Sequence, residues 1–499
     1  MAPRNVGRIS RVTPDITSGG SSASFIGDLN YEHEDEKSIS KYIPPWTTPY
    51  IIGMAGNSGS GKTSIAQQII HMINQPWTIL ISFDNFYNPL SDEERELAFD
   101  NNFDFDHPNS LDLDLLVATI NQLKHGGRAT IPVYSFNLHN RTSKTNIIYG
   151  ANVIIIEGLY ALYDQRLLDM MDLKIYVDTD LDICLARRLT RDILYRGRDL
   201  SGAIKQWETF VKPNAVKFVN PTMKNADLII PRGLDNSIAI DLMIIHIKKQ
   251  LALKSRNHLL HLKQLGVDIK FDVNKYNIKI LADTNQVRGI NSILFSQDTS
   301  RSDFIFYMDR MSVLLIEVAQ EFFNEYTNEV IPTGHNHSYN GLNMNQNYIA
   351  ITVMSSGDTF MKSIKKCFAD IKVGKLLIQS DSTTGEPQLH FESFPMNITE
   401  YDSKLLLFDS QIISGAGAIM AIQVLLDHKV DEEDIILVCY LATEIGIRRI
   451  VNVFPKINIV IGKLSCMEQS NVWYNKEGFL DSHWHFRNRF IDTLYFGSG

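Results

Sequence analysis

Between an apolar run, Ile51 to Ala55, and a stretch with apolar residues at helical spacing, the chain reads Gly56-Asn-Ser58-Gly59-Ser60-Gly61-Lys62-Thr63-Ser64. The fixed positions of G-x-x-x-x-G-K-[ST] are filled, and the flanking strand and helix patterns are the ones this loop requires. Its chemistry is a grip on a polyphosphate tail such as that of ATP. Glycines let backbone amides turn inward around the β- and γ-phosphates, and the helix start adds partial positive charge. Lys62 is placed to bridge the phosphates and Thr63 to ligate Mg²⁺. The loop does not say what accepts the phosphoryl group. An Asn-Lys-x-Asp base-reading motif and an LSGGQ-like signature are both absent, and Ile154-Ile-Ile-Glu157-Gly158 supplies one acid and then glycine. GTPases, ABC-type ATPases and motor or helicase ATPases therefore fit less well than a small-molecule kinase.

Phosphoryl transfer also needs an acid to take or orient the proton of the acceptor hydroxyl. Asp84 follows the apolar run Thr78 to Ser82, at the edge of an open sheet where ligands bind. The segment Asp84-Asn-Phe-Tyr-Asn-Pro89 reads as a simple turn as well. Glu157 ends another apolar run and suits either Mg²⁺ or a helix N-cap. Arg187, Arg188, Arg191, Arg196 and Arg198 crowd one segment. They read as a solvated basic helix or as a mobile cationic flap over a transferring phosphoryl group.

The elements that must position these groups follow from the alternation of patterns. Strand-length apolar runs at Ile51 to Ala55, Thr78 to Ser82, Val153 to Ile156 and Leu173 to Val177 are interleaved with helical stretches such as Ser64 to Asn74. That predicts an α/β fold, a mostly parallel sheet flanked by helices. A second α/β series has strand candidates at Tyr348 to Met354, Lys375 to Gln379, Leu405 to Phe408, Ile435 to Tyr440 and Ile457 to Ile461. The chain is expected to divide into a disordered arm at 1–40, a first domain at 41–255, a connector at 256–283 and a second domain at 284–499. The helical stretch Ile238 to Lys263 leads into that connector.

Bulk properties narrow the partners. A net charge of −9 opposes polyanions, so nucleic acid is not expected as a partner. Cys184, Cys367, Cys439 and Cys466 show no metal-ligand spacing and read as reduced thiols. No apolar run reaches membrane-spanning length, and the amino terminus lacks the apolar block of a secretory signal. A cytoplasmic or nuclear address is the expectation, with no membrane partner.

From about Tyr50 to Gly233 the residues resemble uridine/cytidine kinases of the phosphoribulokinase-like group. The carriers, in order, include Gly56 to Thr63, Asp84-Asn-Phe-Tyr87, Phe105-Asp-His-Pro108, Ile131-Pro-Val-Tyr-Ser-Phe136, Glu157-Gly158, Arg187-Arg-Leu-Thr-Arg-Asp192, Arg196-Gly-Arg-Asp199 and Phe210-Val-Lys-Pro213. The resemblance implies ATP as donor, Mg²⁺, and uridine and cytidine as substrates. It makes Asp84 the acid facing the nucleoside 5′-hydroxyl and Asp106 the carboxylate on the ribose hydroxyls. Tyr134, Phe136 and His139 become the pyrimidine pocket, shaped by Tyr87 and Phe105. Arg188, Arg191, Arg196 and Arg198, with Gln206, become the lid and nucleoside clamp; Arg191 serves the chemistry, while Arg196 and Arg198 reach the nucleotide. The family's habit implies a homo-oligomer.

From about Thr284 to Gly499 the chain resembles uracil phosphoribosyltransferases, through Val353 to Met361, Gly374 to Pro387, Asp409 to Ala418, Ala442 to Gly446 and Tyr495-Phe-Gly497. Three departures lead us to expect the architecture without the transferase activity. Ser355 or Ser356 replaces an arginine, the diphosphate loop is partly kept in Asp409 to Gly417, and bulky His483 to Phe490 replaces a glycine-rich uracil loop. A nucleotide effector on the loop Ser414 to Ala418, or subunit contact, is the expected role.

Overall fold

A computed structural model of the chain describes residues 41–136, 138–196, 199–265, 271–322, 326–334, 337–344, 347–380, 386–395, 398, 404–465 and 489–497, without the side chains of 195, 196, 326 and 344. The stretch read as a disordered arm lies outside these residues. So do Arg198 and the Arg196 side chain.

The first half contains β1 (Tyr50–Gly56), β2 (Thr78–Ser82), β3 (Arg128–Ser135), β4 (Asn140–Tyr149), β5 (Val153–Glu157), β6 (Leu173–Asp178) and β7 (Leu228–Pro231). Five of these form a sheet in the order β2-β5-β1-β6-β7, every neighbouring pair parallel. Because a parallel sheet is covered on both faces, its central strands are apolar throughout, and β1 and β5 are buried along their whole length. One face packs Ile51, Ile154 and Ile156 on Leu116, Ile120 and Leu123 of the helix Leu113–Lys124. The other packs Ile52, Met54 and Ile155 on Ile65 and Ile69 of the helix Lys62–Ile73, and on Ile240, Met243 and Ile247 of the helix Ser237–Gln264.

β2, β5 and β1 are adjacent and run the same way, so their carboxyl ends meet at one edge. In register, Ser82 and Met54 both lie beside Glu157. The phosphate loop after β1, Asp84 after β2 and Glu157 at the end of β5 are thereby delivered to a single place. β3 and β4 form a separate antiparallel hairpin, in which Tyr134 pairs with Arg141 near the turn and Arg128 with Tyr149 at the base.

The second half contains β8 (Ile278–Ile280), β9 (Tyr326–Thr333), β10 (His337–Met344), β11 (Tyr348–Met354), β12 (Lys372–Ser380), β13 (Pro387–Ser393), β14 (Lys404–Phe408), β15 (Gln411–Ile412), β16 (Ile435–Thr443) and β17 (Asn458–Ser465). β9 and β10 pair as a hairpin. The main sheet runs β13-β12-β11-β14-β16-β17-β8, with β15 also on β16; its pairs are parallel except β12 with β13. The stretch 256–283, read above as a connector, holds the last turns of the helix Ser237–Gln264 and β8, which is parallel to β17.

The two halves share packing. Tyr42, Trp46, Leu262 and Leu265 belong to the same apolar cluster as the second sheet. A buried polar thread runs beside them: His258 places Nε2 3.0 Å from the Tyr42 hydroxyl and Nδ1 2.6 Å from Glu386 Oε1.

Candidate active site

The loop Gly56 to Gly61 is pressed outward against backbone. A Cβ on Gly56 would stand 2.6 Å from the Val177 carbonyl oxygen, and one on Gly59 would stand 2.4 Å from that of Cys184. Gly56, Gly59 and Gly61 have φ of 154°, 87° and 93°. The helix Lys62–Ile73 starts at Gly61 with no side-chain cap, so its first amides are left for an external acceptor. Ser60 Oγ is buried without a hydrogen-bond partner. A glycine cradle of this shape fits a phosphate chain. Ser64, predicted with the nucleotide contacts, is exposed on the helix and is not among the residues lining the cleft.

Thr63 Oγ1 donates to Glu157 Oε2 at 3.1 Å, and Ser82 Oγ donates to Glu157 Oε1 at 2.7 Å. Glu157 is buried. A hydroxyl and a carboxylate meeting beside the cradle are the hard oxygen donors that Mg²⁺ takes when it shares its shell with phosphates and water. Asp84 sits in the short 3₁₀ turn Phe83–Phe86, its amide donating to Ser82 Oγ at 3.3 Å. The segment is thus a turn, as its residue types suggest, and it sets Asp84 on the wall of the cleft.

One cleft is lined by Ser58, Lys62, Thr63, Asp84, Asp106 and Glu157 together with an aromatic group. Phe105 stacks on His139 with ring centroids 5.3 Å apart and 23° between planes. Tyr87 contacts Tyr134 at 5.1 Å and Phe105 at 5.8 Å, and Tyr134 meets Phe136 edge-on at 5.4 Å. Burial and the nearby carboxylates of Asp84 and Asp106 push the Tyr87 phenol well above its ordinary value, with Arg188 pulling the other way. The hairpin end is fixed by Arg141, whose Nε donates to the Tyr87 carbonyl at 2.8 Å and whose Nη2 lies 3.1 Å from Asp112 Oδ2.

Arg187, Arg188 and Arg191 stand on the helix Leu181–Arg196. Arg188 is buried in it; Nη1 donates to Ser58 Oγ at 3.0 Å and lies 3.5 Å from Asp106 Oδ1, while Nε lies 3.5 Å from Asp192 Oδ2. Arg188 is thus a strut between the phosphate loop and Asp106. Arg191 is half-buried on the cleft wall and donates from Nε to Asp192 Oδ1 at 2.9 Å. Gln206, buried on the following helix, lines the same cleft. Tyr160 donates from its hydroxyl to the Asp106 carbonyl and fixes that backbone.

Sequence reasoning missed Phe103, Leu159 and Phe210, which line the cleft, and Ser82, which holds both Glu157 and the Asp84 turn. Phe210 lay within a quoted block and Phe103 two residues before Phe105. Ser82 carried only its place at a strand end.

In the second half, Ser356 Oγ donates to Asp409 Oδ1 at 2.6 Å and Arg489 Nη2 lies 3.4 Å from Asp409 Oδ2. Gly415, at φ 79°, starts the helix Ala416–Asp427, and Arg449 Nη1 donates to the Ser414 carbonyl at 3.0 Å. The bulky segment beginning at His483 lies outside the described residues up to 488.

A parallel sheet whose phosphate loop, acid after β2 and metal-type oxygens converge on one cleft defines a P-loop kinase. Residues 51–239 match the model of the phosphoribulokinase/uridine kinase family, and residues 280–471 match that of uracil phosphoribosyltransferase. The chain is 53% identical to a uridine kinase of Saccharomyces cerevisiae, over 94% of this chain and 93% of that protein. It is 38% identical to uridine-cytidine kinase-like 1 of Mus musculus (84% and 77% covered) and 39% identical to uridine-cytidine kinase A of Dictyostelium discoideum (84% and 83%). The chain belongs to the uridine kinase family, with a uracil phosphoribosyltransferase-like second half.

Proposed function

We propose that this chain transfers the γ-phosphoryl group of ATP to the 5′-hydroxyl of uridine or cytidine, giving UMP or CMP in pyrimidine salvage. The observation that carries this reading is one continuous cleft holding Lys62 and Thr63, Asp84, and the Asp106–Tyr134–Phe136–His139 group. The cradle Gly56 to Gly61 holds the donor's phosphates through backbone amides, and Lys62 neutralises charge on them. Asp84 accepts or orients the proton of the 5′-hydroxyl. Asp106, held by Arg188, accepts hydrogen bonds from the ribose hydroxyls. That leaves a buried acceptor unmatched when a deoxyribose is offered. The aromatic group stacks on the base and His139 addresses its edge. Thr63 and Glu157 would hold Mg²⁺, which supplies electrostatic stabilisation to the transferring group. Arg191 acts on the same charge from the cleft wall. Arg196 and Arg198 are assigned to the nucleotide by the family pattern alone.

The second half supports an effector role more than catalysis, since Asp409 is engaged internally by Ser356 and Arg489. A nucleotide on the Ser414 loop and assembly into homo-oligomers are part of this proposal.

Phosphate transfer from labelled ATP tests the central reading. The purified full chain, run beside Lys62→Ala, is expected to label uridine and cytidine and to leave sugar phosphates and pantothenate unlabelled. Labelling of one of those acceptors in place of the nucleosides overturns it.

A further inference from the structure

The pyrimidine-side residues stand on a hairpin with little support of its own. Among the described residues β3 and β4 pair with each other and with no third strand, and two-stranded hairpins are marginally stable in water. β3 lays Ala129 and Ile131 on the helix Leu113–Lys124, while β4 is largely open to solvent, with Ile147 71% exposed. β3 is thus held along its length by the core, whereas β4 has, beyond its pairing with β3, mainly the contacts at its ends to fix it. Near the turn the holder is Arg141, described above.

At the base the holder comes from the other half of the chain. Asp427, the last residue of the helix Ala416–Asp427, accepts from the Tyr149 hydroxyl at 2.6 Å and from Trp46 Nε1 at 2.9 Å, both through Oδ2. Its other oxygen accepts from Gln423 Nε2 at 2.8 Å. Around this contact Tyr149 meets Trp77 edge-on at 5.5 Å and His428 at 5.1 Å, and Trp46 lies 6.4 Å from Trp77. Burial first, then Asp427, holds the Tyr149 phenol far above its ordinary value, so it stays a donor. A single carboxylate oxygen shared by two donors from the first half fixes direction as well as distance.

We infer that Asp427 is a positioning residue for the nucleoside pocket: by holding Tyr149 it sets the base of the β3–β4 hairpin and hence the placement of Tyr134, Phe136 and His139. The inference rests on the proposed function of that pocket. It gives the phosphoribosyltransferase-like half a part in nucleoside binding that needs no chemistry of its own.

The test compares full-length Tyr149→Phe and Asp427→Asn with the parent chain. Tyr149→Phe keeps the ring packing and removes one hydrogen bond, so KM for uridine is expected to rise about three- to tenfold. KM for ATP and kcat are expected to stay close to parental values. Asp427→Asn keeps an accepting oxygen and should give an intermediate rise, a partial rescue that a purely structural defect would not show. Calorimetric titration with uridine reads the same shift without turnover. If the parent chain binds uridine but does not phosphorylate it, the functional reading fails. Unchanged uridine affinity in Tyr149→Phe, or an equal change in both substrates, overturns the positioning role; so does loss of folding in both variants, which would make the contact a stability element.

Discussion

Arg188 and Asp106 are paired across the cleft, both buried, with Nη1 3.5 Å from Oδ1. The same guanidinium reaches Ser58, so the carboxylate assigned to the ribose is tied to the loop assigned to the phosphates. Asp106→Asn weakens that tie and removes a charged acceptor. We expect KM for uridine to rise about tenfold or more, with about 1–3 kcal/mol lost in stability because Arg188 keeps Asp192. Steady-state kinetics and chemical denaturation check both.

Asp84 is half-buried and lines the cleft. Asp84→Asn should therefore leave the fold intact and lower kcat by roughly a hundred- to ten-thousand-fold. A near-parental rate in a labelled-phosphate assay would remove Asp84 from the chemistry.

Gly59 lies at φ 87° with the Cys184 carbonyl behind it. Gly59→Ala pushes the loop into the cleft, costs about 1–3 kcal/mol, and should raise KM for ATP more than KM for uridine. Thermal melting with and without ATP reads the two effects separately.

Burial pushes the Cys184 thiol up to about 11 from its ordinary value of 9.0. Between those pH values the unfolded chain gives up the proton and the native chain keeps it, so the native state is the more protonated one. Stability is full below about pH 9 and falls as pH rises to about 11. Melting curves across this range should fall less steeply in Cys184→Ala than in the parent chain.

Legibility in the sequence tracked how local the determining physics was. Thr78–Ser82 and Tyr348–Met354 are strands with the bounds read from their apolar runs, because each is a short apolar run between polar breaks; the first is half-buried at the sheet edge and the second is buried in mid-sheet. The phosphate loop was legible because strand, glycines and helix are contiguous. β4 was not: Asn140 to Asn146 is polar, as an open strand on a two-stranded hairpin can be, and only its partner reveals it. Arg188 reads as part of a solvated or mobile run, because Asp192 at i+4 is also the spacing of an exposed helix pair; only the fold shows both to be buried. Tyr149 and Asp427 stand 278 residues apart in the chain, and nothing in the neighbourhood of either announces the other.

The strand order has a consequence for synthesis. β1 leaves the ribosome at residue 50, but the strands on its two sides start only at 153 and 173. Until then the glycine loop has no sheet edge behind it, and the Val177 and Cys184 carbonyls that press it into shape have not been made. A nascent or truncated chain ending before this point displays the whole motif yet has no rigid grip on a triphosphate. β8 waits longer still, since β17 begins at 458.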